Sequence, residues 1–330
     1  MRCGTRHTAA LLAAALVAMA TALGACGGGD DGGGGGSAAA GKPATLNVGV
    51  IPIADVAPLY LGIKKGFFGA EKLTIKPVLA EGGAAIVPAV ISGGNQIGFS
   101  NTTSLVIAKS KKLPIKIISQ GDIGGTSAAD APDAVLVKKN SPIRSAKDLV
   151  GKTVSVNTLN NVGPLGINTG LDKQGADYKK VKYVEVPFPD ALGALEAGRV
   201  DAAWVVEPFV TAGTAAGYRV VMNPFEQVAP NLTVATYFTT EKYISENKDV
   251  VDRFVRAINK SMSYAQAHPD EVRQIVTTYT KIPPKVAQVM KLPQWGPQLN
   301  EATIQRTIEL TKTYGFASSP PSIGDLLYKG

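Results

Sequence analysis

The chain has only two cysteines in 330 residues, Cys3 and Cys26, both close to its start. No disulfide can therefore staple the rest of the chain, and the fold has to stand on its apolar core. Histidine is as scarce, with His7 near the start and His268 in Ala267-His268-Pro269-Asp270. One histidine and no thiol beyond residue 26 leave nucleophilic and soft-metal chemistry almost nothing to use. No HExxH pair, GxSxG elbow, phosphate-binding glycine loop or paired-cysteine pattern occurs. These absences point to a protein that is not an enzyme and holds neither metal nor cofactor. The formal net charge is +8, but its basic residues are dispersed, and the densest group is Lys109, Lys111 and Lys112. Without interleaved aromatics that group reads as a solvated helix end, which speaks against nucleic acid as a partner.

What the start does contain is specific. Arg2, Arg6 and His7 form a basic segment, and residues 9–23 form an apolar run. That run suits a secretory signal and falls short of the ~20 residues of a membrane span. It closes on Leu23-Gly24-Ala25-Cys26, which reads as a lipoprotein processing site. Residues 1–25 are expected to be removed as a signal peptide and Cys26 to carry lipid, placing the mature chain outside the cytoplasm on a membrane anchor. Loss of Arg2 and Arg6 takes the net charge from +8 to +6. Between Gly27 and Gly41 every residue is Gly, Ala, Ser or Asp. Such a segment buries too little to offset its ordering entropy, so residues 26–41 read as a flexible tether.

From residue 45 onward, short β-rich runs alternate with helical stretches: 46–51, 73–79, 96–99 and 115–119, then 134–137, 153–157, 181–186, 200–206 and 218–221, with a later extended run at 232–239. This punctuation predicts two α/β units with largely parallel sheets. The expected layout is a first lobe over residues 42–131, a second over 132–228, and a return to the first with C-terminal helices over 229–330. Val251, Phe254, Val255, Ile258 and Met262 recur at helical spacing and predict one buried helix face.

In open α/β sheets a ligand lies beyond the carboxyl ends of the strands, where loops lead into helix starts. Two such loops are rich in small polar residues: Ser100, Asn101, Thr102 and Thr103 in one unit, and Asn157, Thr158, Asn160 and Asn161 in the other. Each set also suits plain helix capping. As a matched pair they point to two helix N-termini facing a small anion. Trp204 and Glu207 stand at another strand end, where the indole offers a stacking face and the carboxylate either meets a ligand nitrogen or starts the next helix. Phe188 offers a wall, with Asp190 a helix cap, and Asp55 sits in the proline-bounded loop 52–60. Tyr60, in the same loop, reads equally as core or contact.

Several ordered stretches carry a family resemblance: Ala57-Pro58-Leu59-Tyr60 with Lys65-Gly66-Phe67-Phe68, Lys147-Asp148-Leu149-Val150-Gly151-Lys152, Val186-Pro187-Phe188-Pro189-Asp190, Gly198-Arg199-Val200-Asp201-Ala202-Ala203-Trp204-Val205-Val206-Glu207-Pro208, and Phe254-Val255-Arg256-Ala257 with His268-Pro269-Asp270-Glu271. Over residues 46–327 the chain resembles the nitrate/sulfonate/taurine-type solute-binding proteins of ABC importers, a group that includes binders of pyrimidine precursors. The resemblance implies a two-lobed periplasmic-binding fold of type II with its ligand cleft between the lobes. It also implies a monomer that closes on one small solute and delivers it to a permease and its ATPase. Hinge segments are expected near residues 131–135 and 227–234. Helix termini beside Glu207 suggest a small organic anion or zwitterion, taurine-like or heterocyclic, with a pyrimidine or aromatic carboxylate as the alternative. The same superfamily includes a pyrimidine synthase that consumes its own histidine, a reading disfavoured because His268 lies outside every candidate loop.

Overall fold

The computed structural model describes residues 41–330. The expected signal peptide, Cys26 and all of the tether but Gly41 lie outside the described residues. Ten strands form two five-stranded sheets. The first holds β1 (Ala44–Val50), β2 (Leu73–Leu79), β3 (Ile97–Asn101), β4 (Ile115–Ile123) and, late in the chain, β10 (Thr233–Thr240). The second holds β5 (Asp133–Val137), β6 (Thr153–Val156), β7 (Lys182–Glu185), β8 (Ala202–Val206) and β9 (Arg219–Met222). Their spatial orders are β2-β1-β3-β10-β4 and β7-β6-β8-β5-β9. Strands β1 to β3 pair in parallel, as do β6 to β8, while β10 and β5 run against both of their neighbours. These two are the first strands after each crossing between the sheets, so the reversal of direction marks where the chain changes lobe.

Burial follows from position. Strands β3, β5 and β8 are buried along their whole length and, apart from Asp133 at the start of β5 and Asn101 at the end of β3, read as apolar or small residues, as strands covered on both faces do. The edge strand β2 instead places Leu73 and Ile75 inward with Thr74 and Lys76 outward, and it tolerates Pro77 because an edge has ladder positions that need no N–H. The predicted alternation of strand and helix is thus present, with one long extension: the fourth strand runs on to Ile123, past the predicted end at residue 119.

Helix Lys248–Ala267 buries Val251, Phe254, Ile258 and Met262 as their spacing predicts, with Val255 half-buried on the flank. Its Arg253 is buried too. The guanidinium donates to Asp249 Oδ2 at 3.0 Å and to the carbonyls of Glu71 and Lys42 at 2.8 and 3.1 Å, so the charge is paired and the start of the body is tied to the helix. The C-terminal region folds back on the first lobe, where Met290, Trp295 and Val276 join Ala54 and Leu61 in one apolar cluster. Among the described residues no helix is long and apolar enough to cross a membrane.

In the second lobe, helix Val162–Lys173 lies directly on helix Pro224–Val228. A Cβ at Gly166 would stand 2.3 Å from the carbonyl oxygen of Pro224. Gly166→Ala would gain up to ~1 kcal/mol of helix propensity. Overpacking costs about 1–3 kcal/mol, and here it meets backbone that cannot rotate away. The clash should win, leaving a net loss of ~1–2 kcal/mol, seen as a lower urea midpoint with an unchanged slope.

Candidate functional site

The carboxyl ends of β1, β3, β6 and β8 converge on a cavity between the two sheets. From the first sheet it is lined by Ile51, Ile53, Asp55, Phe99, Asn101, Val234 and Ala235. From the second it is lined by Asn157, Asn161, Val162, Phe188, Trp204, Val206 and Phe225. Its free volume is about 30 Å³, room for roughly one water. The lobes touch across its rim. Asn157 Nδ2 donates to the Glu81 carbonyl at 3.4 Å, and Ala54 N donates to the Glu207 carbonyl at 3.0 Å.

Two helix starts reach this cavity. Asn101 caps helix Thr102–Ser110, its Oδ1 accepting from Ser104 N at 2.9 Å. Asn161 caps helix Val162–Lys173, accepting from Gly163 N at 3.0 Å, while its Nδ2 donates to Asn157 Oδ1 at 2.7 Å and Thr158 Oγ1 at 2.8 Å. The caps hold both asparagines in place, and the positive ends of two helix dipoles bear on one small space. Trp204 forms the floor on the second-lobe side, with its ring edge-on to Phe188 at 5.4 Å and to Phe225 at 6.1 Å. The first turn of helix Val162–Lys173 passes over the indole, and this requires Gly163, where a Cβ would come within 2.3 Å of the ring.

Of the residues expected at the site, Asp55, Asn101, Asn157, Asn161, Phe188 and Trp204 come together on the cavity wall. Six are placed elsewhere. Ser100 faces the start of helix Gly83–Ile91, Thr102 Oγ1 donates to the Thr233 carbonyl at 2.9 Å, and Thr103 is buried with its hydroxyl unpartnered. Thr158 holds Asn161, and Asn160 is exposed at a left-handed φ of 51°. Glu207 is fully buried just ahead of helix Phe209–Ala215: it accepts from Thr211 N at 3.0 Å, Thr211 Oγ1 at 2.8 Å and Lys291 N at 3.1 Å. Burial nonetheless pushes its carboxyl up to about 7. Both carboxyl oxygens are thus engaged, one by Thr211 N and the other by Thr211 Oγ1 and Lys291 N.

Residues 53–272 match the family described as NMT1/THI5 like. The chain belongs to that family. The formylaminopyrimidine-binding protein of Halalkalibacterium halodurans is 26% identical over 230 residues, 67% of this chain and 65% of that protein. The taurine-binding periplasmic protein of Escherichia coli is 30% identical over 195 residues, 58% of this chain and 57% of its own length. The chain thus spans less than two thirds of either relative. The structure of the alkanesulfonate-binding protein from Xanthomonas axonopodis pv. citri, bound to MOPS, superimposes with a TM-score of 0.72 at 18% identity, covering 87% of this chain and 97% of that one. The architecture is accordingly the two-lobed periplasmic-binding fold.

In this NMT1/THI5-like protein, carboxyls that the sequence pattern did not single out stand behind the cavity wall, against the lining residues Trp204, Phe225 and Asp55. Asp133 opens β5 and is fully buried. Its Oδ2 accepts from Trp204 Nε1 at 3.0 Å and Phe225 N at 3.2 Å, while Oδ1 has no donor. Burial outweighs those two N–H groups and pushes its carboxyl up to about 8. Asp122, on β4, is fully buried with neither oxygen receiving a donor, and it lies within hydrogen-bonding reach of Asp55. Burial raises both members of that pair, and the neighbouring Asp55 charge raises Asp122 further. For Asp133 the available clue was a carboxylate at the head of the apolar run 134–137, where an unexplained charge is costly.

Proposed function

We propose that this chain is the extracytoplasmic solute-binding component of an ABC importer, held to the membrane by lipid on Cys26 and working as a monomer. It captures a small organic anion or zwitterion between its lobes and delivers it to a permease and its ATPase. The observation that carries the reading is the pair of asparagine-capped helix starts on one closed cavity between two sheets. Separate helices supply the two positive ends, so an anion between them stabilises the closed form over the open one, which makes ligand capture and closure the same event. The chain passes between the sheets over residues 124–132 and 223–232, which overlap the expected hinge segments 131–135 and 227–234 in part. Relatives named for binding taurine and formylaminopyrimidine support the class of function.

A second ligand class has its own support. Phe99, Phe188, Trp204 and Phe225 all line the cavity, and four rings around one narrow space suit a flat pyrimidine or aromatic carboxylate. The pyrimidine-synthase alternative needs a histidine in the cleft. His268 stacks on Tyr264 with ring centroids 3.8 Å apart and is absent from the cavity wall.

Thermal-shift screening against taurine, alkanesulfonates, nitrate, aromatic carboxylates and pyrimidines tests this function. A solute at ~100 times its dissociation constant adds ~2.7 kcal/mol, which should raise the midpoint by about 5 °C. Small-angle scattering with the best solute should show a smaller radius of gyration. Tight binding without compaction would overturn closure, and no shift with any class would overturn capture.

A further inference from the structure

We propose that Asp55 and Asp122 form a subsite for a protonated or N–H-bearing nitrogen of the solute. The solute would sit with that nitrogen on the first lobe and its anionic end at the two helix starts. This deepens the solute-capture reading and rests on it.

The geometry shows a surplus of acceptors. Asp55 lines the cavity while only 3% exposed, and its Oδ2 has no donor. Behind it Asp122 is fully buried with two oxygens lacking donors, and on the same strand Gln120 Oε1 is buried and unpartnered as well. The Gln120 amide nitrogen does not serve these carboxyls, because Nε2 donates to the backbone carbonyl of Asp122 at 3.0 Å. A proton shared between the two carboxyls supplies one donor and leaves the rest of the acceptors unserved. Buried acceptors without donors are costly, and a donor brought in by a ligand removes that cost only for ligands that carry one.

The turn bearing Asp55 is also held in advance. Trp295 Nε1 donates to the Asp55 carbonyl at 3.0 Å, and Tyr279 OH donates to the Ile53 carbonyl at 3.1 Å. The C-terminal region thereby fixes the position of the carboxyl from behind, and a preorganised acceptor loses less on binding. Across the cavity, Asn101 and Asn161 mark the positive helix ends. The two sides together match a dipolar solute. A bare anion would satisfy the helix ends and leave the remaining carboxyl oxygens without a donor.

The test is titration calorimetry at pH 7 on the mature full-length protein with two matched pairs: taurine against ethanesulfonate, and 4-(aminomethyl)benzenesulfonate against toluene-4-sulfonate. The nitrogen-bearing member should bind at least about tenfold tighter in one pair or both, the range expected for a hydrogen bond to a charged group. Asp55→Asn should reduce that preference to below about threefold. Asp122→Asn should reduce it in the same direction, so the proposal stays testable if one variant fails to fold, as judged by circular dichroism. Equal or tighter binding of the members lacking nitrogen would overturn the subsite while leaving solute capture standing. So would a preference that survives in both variants. Binding by no member of either pair would overturn organosulfonate capture and this subsite with it.

Discussion

Between pH 5 and pH 8 the protein should lose on the order of 3 kcal/mol of folding stability through Asp133 alone, and Asp133→Asn should remove that part of the loss. The sign comes from proton counting. An unfolded aspartate titrates near 4, whereas burial holds the folded Asp133 carboxyl at about 8. Between those values the folded state keeps a proton that the unfolded state has released, so stability falls by ~1.4 kcal/mol per pH unit for each such group. The contribution is full below the unfolded pKa and is lost as pH rises through the folded one. Glu207 adds to the slope until about pH 7, and the Asp55–Asp122 pair acts in the same direction. Asp130 is shifted the opposite way, to about 2 by the N–H groups of Thr126 and Ser127, and acts only in strong acid.

Urea midpoints at pH 5, 7 and 9 check this. An asparagine at position 133 can still accept from Trp204 and Phe225 but never ionises. The variant should therefore match the parent near pH 5 and exceed it at pH 9. A parent curve flat from pH 5 to 9, or identical slopes in the two proteins, would show that Asp133 is not held protonated by its surroundings.

The fold was legible because the chain obeys local rules throughout: β-rich runs bounded by turn residues, and a helix with Val251, Phe254 and Ile258 on one face. The site was only half legible, and strand parity explains why. Residues two apart share a face. Phe99 and Asn101 line the cavity while Ser100 between them does not, and Trp204 and Val206 line it while Glu207 does not. In a half-exposed strand the polar and apolar alternation would have revealed the faces. Strands β3 and β8 are buried on both sides, so neither face carries a signature that tells cavity from core. The extension of β4 was lost for a related reason. Gln120-Gly121-Asp122 reads as a turn, yet Gly121 is there because a Cβ would stand 2.6 Å from the Phe99 ring and 2.7 Å from the Ala235 carbonyl oxygen. The strand continues through its most polar residues, Gln120 and Asp122, both fully buried.

Trp204→Ala should be strongly destabilising. Truncating a buried aromatic costs about 3–5 kcal/mol, and this indole is 2% exposed, between Phe188, Phe225 and the first turn of helix Val162–Lys173. The change also removes the N–H that serves Asp133 Oδ2, which adds the cost of a buried acceptor left with one donor fewer. A markedly lower urea midpoint and loss of solute-induced stabilisation should appear together, because the same ring supports the lobe and walls the cavity. Trp204→Phe separates the two contributions. It keeps an aromatic body while removing the donor and part of the ring volume, so it should cost less than the alanine, about 1–3 kcal/mol. With one stabilising N–H gone, the Asp133 carboxyl should titrate still higher, extending the alkaline loss of stability beyond pH 8. If Trp204→Phe destabilises without changing the pH dependence, the indole acts through packing alone. If the pH dependence shifts as expected, the acid at the start of β5 and the ring on β8 work as one unit, joining the first crossing between the lobes to the wall of the cleft.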